Sequence, residues 1–137
     1  MTTEPNTGPG PAGPNILIVD DSAMMRTMIK RVAGLAGTPI GTIFEAGNGR
    51  EALAILEQHP VQLVFTDLNM PVMTGTELLR EMQARDHWRD IVRVVISTDG
   101  SDSRRDEVRN LSVAVYVEKP FRPEEMRDVL TSLTPAS

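Results

Sequence analysis

A doubly wound α/β fold, with five parallel strands in one sheet and helices on both faces, follows from three features of the sequence. Five short apolar runs recur along the chain, each bounded by polar residues. The runs are continuous rather than alternating, which suits strands covered on both faces. The segments between them carry apolar residues at helical spacing, so the pattern repeats as a (βα)5 unit.

The elements can be justified in order. The run Ile16-Leu17-Ile18-Val19 is the first strand, closed by Asp20-Asp21. Ser22 to Leu35 follows as a helix with Met25, Met28, Ile29 and Val32 on one stripe. Thr42 to Ala46 is the second strand, and Gly49 to Gln58 a helix presenting Ala52, Leu53, Ile55 and Leu56. Leu63-Val64-Phe65-Thr66 is the third strand, closed by Asp67. Gly75 to Ala84 is a helix with Leu78, Leu79 and Met82 inward. Ile91 to Ile96 is the fourth strand, closed by Ser97. Ser103 to Leu111 is a weakly apolar helix with only Val108 and Leu111 to bury, expected to be the most loosely packed. Val113 to Val117 is the fifth strand, closed by Glu118-Lys119. Pro123 to Leu133 ends the pattern as a helix with Met126, Val129, Leu130 and Leu133 inward. Asn48 with Glu51, and Thr74 with Glu77, have the spacing of a capping box, and Pro123 suits a first helical position.

The chain of 137 residues has room for one ordinary domain. Residues 1–14 hold four of the ten prolines and three of the ten glycines, and too few apolar side chains to offset the entropy of ordering. They read as a disordered tail, leaving residues 15–134 as the domain. Fourteen basic against nineteen acidic residues give a net charge of −5, which argues against a nucleic-acid binder. The absence of cysteine excludes disulfides, zinc–thiolate sites and thiol nucleophiles. No apolar run approaches the ~20 residues of a membrane span, and no secretory signal opens the chain. A cytoplasmic protein without a membrane partner is expected.

In a parallel sheet every strand ends at the same edge, and ligands bind there. That edge collects Asp20, Asp21, Asp67, Ser97 and Lys119. Clustered carboxylates repel one another and persist when something compensates. Mg²⁺, which takes one or two carboxylates with carbonyl oxygens and water, is a suitable compensator, and Lys119 is another. A hard cation beside a lysine and a hydroxyl is also what a phosphoryl group needs, and a carboxylate can serve as its covalent acceptor.

Asp20-Asp21, Asp67-Leu68-Asn69-Met70-Pro71 with Gly75, Ser97-Thr98 and Lys119-Pro120-Phe121, in that order, resemble the receiver domains of two-component response regulators. The resemblance extends from Asn15 to about Leu133 and is strongest to stand-alone regulators of the CheY-like, chemotaxis type. It implies a flavodoxin/CheY-like fold. It implies that Asp67 accepts a phosphoryl group from a sensor histidine kinase or a histidine phosphotransfer protein. Asp21, Asp67 and the Asn69 backbone carbonyl would hold Mg²⁺, with Asp20 acting through water. Lys119 would pair with the phosphoryl oxygens, and Ser97 and Tyr116 would form the switch. Asn69, Thr98 and Asp99 would tune the rates. The polar pair Asn69 and Asp99 would order a water and shorten the phosphoryl lifetime, while β-branched Thr98 would narrow access. The resemblance also implies a cis bond before Pro120 and a readout face on the fourth helix, fifth strand and fifth helix. The family implies a monomer that acts on a protein target in trans, with no substrate turnover of its own. A relay intermediate or phosphate sink is the alternative.

Two other classes carry less of the pattern. A haloacid-dehalogenase-type phosphatase places its nucleophile after the first strand, with an aspartate two residues on, whereas Asp67 follows the third strand and is followed by Asn69. An electron carrier of flavodoxin type needs a Ser/Thr-rich phosphate loop after the first strand. An adaptor that works without phosphorylation does not need the acidic set. Gly47-Asn48-Gly49 reads as a turn and helix cap, His59 and His87 as exposed, Trp88 as packing, and Met25, Met28 and Met82 as core filler. Arg104, Arg105 and Arg109 read as a solvated helix face.

Overall fold

The computed structural model describes residues 13–133. The strands are β1 (Ile16–Val19), β2 (Ile43–Ala46), β3 (Leu63–Thr66), β4 (Val92–Ser97) and β5 (Val113–Glu118). The helices are α1 (Ala23–Leu35), α2 (Gly49–Gln58), α3 (Gly75–Gln83), α4 (Asp102–Glu107) and α5 (Pro123–Leu133), with a short 3-10 turn at Asp86–Trp88. All neighbouring strands are parallel, in the order β2-β1-β3-β4-β5. The chain therefore reverses its direction of winding between β1 and β3, the topological switch point where such sheets bind ligands. Among the described residues no helix is long and apolar enough to cross a membrane.

The two sheet faces divide the apolar residues of each strand by alternation. Leu17, Val19, Val64 and Val95 pack with Ala52, Leu56, Leu78, Leu79 and Met82 on the α2–α3 side. Ile16, Ile18, Phe65, Val94 and Ile96 pack with Ile29, Val32, Met126 and Leu130 on the α1–α5 side. Each fully buried aliphatic side chain contributes about 1.5–3 kcal/mol relative to exposure, so both layers hold the sheet. Asn15 fastens the amino edge: its Nδ2 donates to the Pro60 carbonyl at 2.9 Å, and its Oδ1 accepts from the Thr42 N–H at 2.8 Å.

Local signals behave largely as their chemistry dictates. Thr74 and Glu77 complete a reciprocal capping box at α3. Asn48 caps α2 by accepting from the Glu51 N–H, but the Glu51 carboxylate accepts from the Gly47 N–H instead of closing the box. Met28 is a correction to the expected α1 stripe. It is 45% exposed, because it lies one residue, roughly 100°, round the helix from buried Ile29. Residues 1–12 of the expected tail lie outside the described residues. Gly13 and Pro14 are described, and the Pro14 carbonyl accepts from the Gly41 N–H at 2.8 Å.

The region around α4 departs most from expectation. The helix spans Asp102–Glu107 rather than continuing to Leu111. Arg93, expected inside an apolar strand, supplies the reason. Its side chain is buried; Nη1 donates to the Leu111 carbonyl at 3.1 Å and Nη2 to the Trp88 carbonyl at 2.8 Å. The same Nη1 donates to Gln83 Oε1 at 2.8 Å, and the Ser112 hydroxyl meets that oxygen at 3.1 Å. With Leu111 drawn inward and Ser112 at φ 61, the chain turns into β5. The β4–β5 register shifts between Arg93 and Val94.

Candidate functional site

Each chemically active side chain reaches the carboxyl edge from a strand whose apolar run ends just before it. The Asp20 N–H donates to the Ala46 carbonyl at 3.0 Å, and the Asp67 N–H to the Val19 carbonyl at 2.9 Å. These ladder bonds set both acids side by side across the switch point. Asp20, Asp21 and Asp67 offer carboxylate oxygens that all lie within 4.8 Å of one another. Asp20 is buried, Asp67 half-buried and Asp21 exposed.

Lys119 closes the cluster. Its ammonium donates to Asp20 Oδ2 at 2.9 Å and to Asp67 Oδ2 at 3.1 Å. Burial alone would lower the Lys119 pKa, but the hydrogen bonds and charges of Asp20 and Asp67 together raise it above its ordinary value. The other oxygens of the two acids are positioned by backbone. Asp20 Oδ1 accepts from the Ser22 N–H at 2.9 Å, and Asp67 Oδ1 from the Leu68 N–H at 2.7 Å. The Lys119–Pro120 peptide bond is cis, and the Lys119 N–H donates to the Ser97 carbonyl at 2.8 Å.

Three carboxylates against one ammonium leave a net charge of about −2 at the edge. That imbalance, with oxygens from one buried and one exposed acid converging, fits a hard divalent cation. Gly75 packs against the Asp67 backbone: a Cβ there would lie 1.8 Å from the Asp67 carbonyl oxygen, so no larger residue fits.

Ser97, Tyr116, Asn69 and Asp99 form a second group beside the first. Ser97 is fully buried, and its hydroxyl accepts from the Asp99 N–H at 3.1 Å. The Tyr116 hydroxyl donates to the Asp99 carbonyl. Burial raises the Tyr116 pKa above its ordinary value, against an opposing hydrogen bond with Ser97 and with help from the Asp99 charge. The Ser101 hydroxyl and N–H hold the Asp99 carboxyl below the usual carboxylate range, and Arg104 adds to this. Thr98 is exposed beside the site.

Several participants escape the sequence reading. Arg104 bonds to both Asn69 and Asp99. Arg105 lies over the Tyr116 ring at 4.4 Å and pairs with Glu118 at 3.0 Å. Arg26 donates to the Asp20 carbonyl and to Glu45 Oε1. The available signal was position: Arg104 and Arg105 stand within four residues of the cap Ser101, hence near the same sheet edge.

A profile of the response regulator receiver domain matches residues 16–131. A chemotaxis protein CheY homolog of Campylobacter jejuni is 32% identical over 116 residues, which are 84% of this chain and 88% of the relative. The chemotaxis protein CheY of Thermotoga maritima is 31% identical over 122 residues, covering 89% of this chain and 98% of the relative. The solved structure of chemotaxis protein CheY4 of Vibrio cholerae superposes with a TM-score of 0.78 at 29% identity, over 89% of this chain and 99% of that one.

Proposed function

The chain belongs to the response regulator receiver-domain family, and from that membership we propose that it is a stand-alone phosphorylation switch whose acceptor is Asp67. The observation that carries this reading is the bridge of Lys119 between Asp20 and Asp67, beside exposed Asp21. Two of the matched relatives, the CheY proteins of Campylobacter jejuni and Thermotoga maritima, are covered over 88% and 98% of their own length, which supports a receiver of the CheY-like type.

The donor is a phosphohistidine on a sensor histidine kinase or a histidine phosphotransfer protein. An Asp67 carboxylate oxygen forms the new bond to phosphorus as the bond to the imidazole nitrogen breaks. The electron pair stays on that nitrogen. The bond between Leu68 N–H and Asp67 Oδ1 holds one oxygen in place, leaving the Lys119-bound oxygen to orient toward the donor. Lys119, already poised between two acids, then has phosphoryl oxygens to neutralise. Mg²⁺, held by Asp21, Asp67 and the Asn69 carbonyl with Asp20 behind it, would supply charge neutralisation at the phosphoryl oxygens.

The readout follows from the second group. A doubly charged phosphoryl group draws the Ser97 hydroxyl as a donor, and turning that side chain toward it takes the hydroxyl oxygen away from the Asp99 N–H. Release of that contact loosens the loop to which Tyr116 is bonded and shifts the population of α4. The face of α4, β5 and α5 is the surface on which a cytoplasmic protein target would read the change. A phosphorelay role, in which Asp67 passes the group to another histidine, uses the same site.

Incubation of the protein with Mg²⁺ and a small acyl-phosphate donor, followed by intact-mass measurement, tests the reading. The expected result is a gain of about 80 Da, one phosphoryl group, that is absent in Asp67→Asn. A wild-type protein that never gains this mass, from the donor or from a kinase, would overturn it.

A further inference from the structure

One side chain ties together the two loops that flank the acceptor. Arg104 Nη2 donates to Asn69 Oδ1, and Nε lies 3.4 Å from Asp99 Oδ2. Nη1 donates to Glu107 Oε1 at 2.9 Å. The guanidinium is thus engaged on every side, and the side chain is only 26% exposed. Asn69 stands two residues after Asp67, and Asp99 two residues after Ser97. Asn69 follows Asp67 in its own loop, Asp99 follows β4, the strand paired with β3, and both are turned toward the same cation.

The consequence concerns loss of the phosphoryl group. In hydrolysis a water oxygen bonds to phosphorus while the bond to the Asp67 oxygen breaks. The electron pair returns to the Asp67 carboxylate, and the water proton leaves with inorganic phosphate or to solvent. A carboxamide or carboxylate at the mouth accelerates this when it is free to orient the water. Here each is occupied by a guanidinium whose planar fork suits two acceptors at once. The carrier helix α4 buries none of its own residues, so this contact also helps to seat it.

We propose that Arg104 is a positioning residue that withholds Asn69 and Asp99 from the hydrolytic water and so lengthens the life of the Asp67 phosphoryl group. This rests on the reading of Asp67 as acceptor. It reverses the direction expected if the two polar groups were free, because their proximity to Asp67 is here masked by a third residue.

The test is the decay of phosphorylated protein after removal of the acyl-phosphate donor, followed by intact mass. Arg104→Met is expected to lose the adduct roughly three- to tenfold faster than wild type, a change of about 0.65–1.4 kcal/mol in barrier. Arg104→Lys, which keeps the charge but not the fork, is expected to fall between the two. Adding Asn69→Ala and Asp99→Ala to Arg104→Met should restore slow decay, an outcome that mere loosening of α4 would not produce. Equal or slower decay in Arg104→Met, or no restoration in the triple variant, overturns the proposal while leaving Asp67 as acceptor. Failure of wild type to gain the adduct at all overturns both.

Discussion

The Lys119 ammonium lies 3.1 Å from the Asp67 carboxylate and 2.9 Å from that of Asp20, with only 10% of the lysine side chain exposed. A cation so placed is the cluster's internal counter-charge. Lys119→Met keeps the stem's bulk but leaves buried Asp20 unpaired, which is expected to cost about 3 kcal/mol in metal-free solution. Added Mg²⁺ should then raise the melting temperature of the variant more than that of wild type, since it neutralises a larger excess charge. Thermal melts with chelator and with Mg²⁺ check both; a variant no more responsive than wild type would contradict the charge argument.

Arg93 is a buried cation whose guanidinium donates to three neutral acceptors, the Gln83 side chain and the Leu111 and Trp88 carbonyls. Burial pulls its pKa below the ordinary value, so the charge is held at a cost. Arg93→Ala would leave two carbonyls without their donor and a cavity beneath α3, and is expected to destabilise by more than about 3 kcal/mol. Arg93→Met, which refills the volume, should lose less. Urea unfolding with an unchanged m-value measures both, and equal losses would show that the hydrogen bonds rather than the volume dominate.

Tyr116 is the only tyrosine in the chain, so its ionisation can be followed directly by ultraviolet absorbance. Its pKa is raised in the folded state, first by burial. An unfolded tyrosine ionises near ~10. Above that pH the unfolded chain binds fewer protons than the native one, so stability falls as pH rises. The contribution is whole below the unfolded value and is lost as pH passes through the folded one. The native titration midpoint is expected above that of the urea-unfolded protein, and Tyr116→Phe should remove this part of the alkaline loss. Coincident midpoints would contradict a half-buried, bonded phenol.

Val72 adopts φ 69 and is 74% exposed, in the loop between β3 and α3 beside the site. A β-branched residue is strained in the left-handed region, and exposure means that little packing compensates. Val72→Asn is expected to stabilise by about 1 kcal/mol, the excess cost of positive φ for a β-branched residue over asparagine, whose short polar side chain can bond locally. A rise in denaturation midpoint checks it; a fall would mean that Val72 makes contacts worth more than the strain.

The meeting of the acids with Lys119 was legible because topology does most of the work. Once Ile16–Val19 and Leu63–Thr66 are strands of one parallel sheet, Asp20 and Asp67 must emerge at the same edge. Lys119, closing the last strand, must join them. The cap at Thr74 and the proline start at Pro123 were equally readable, because they satisfy backbone groups within a few residues.

What the sequence by itself determined is therefore the order of the elements, the edge on which they end, and the identity of the acids and the lysine gathered there. Tertiary structure alone decided where the long arginine side chains find their acceptors. From α4, Arg104 reaches Asn69 across 35 positions of chain and Arg105 turns to Tyr116, while Arg109, just past the helix, pairs locally with Asp106. Arg93 disappears into the core, shortens α4 and draws in Leu111. Apolar periodicity reports burial through a solvent preference that each residue carries with it. A long cationic side chain carries no such preference for one acceptor over another, and a partner such as Asn69 for Arg104 is chosen only when segments distant in sequence are packed together.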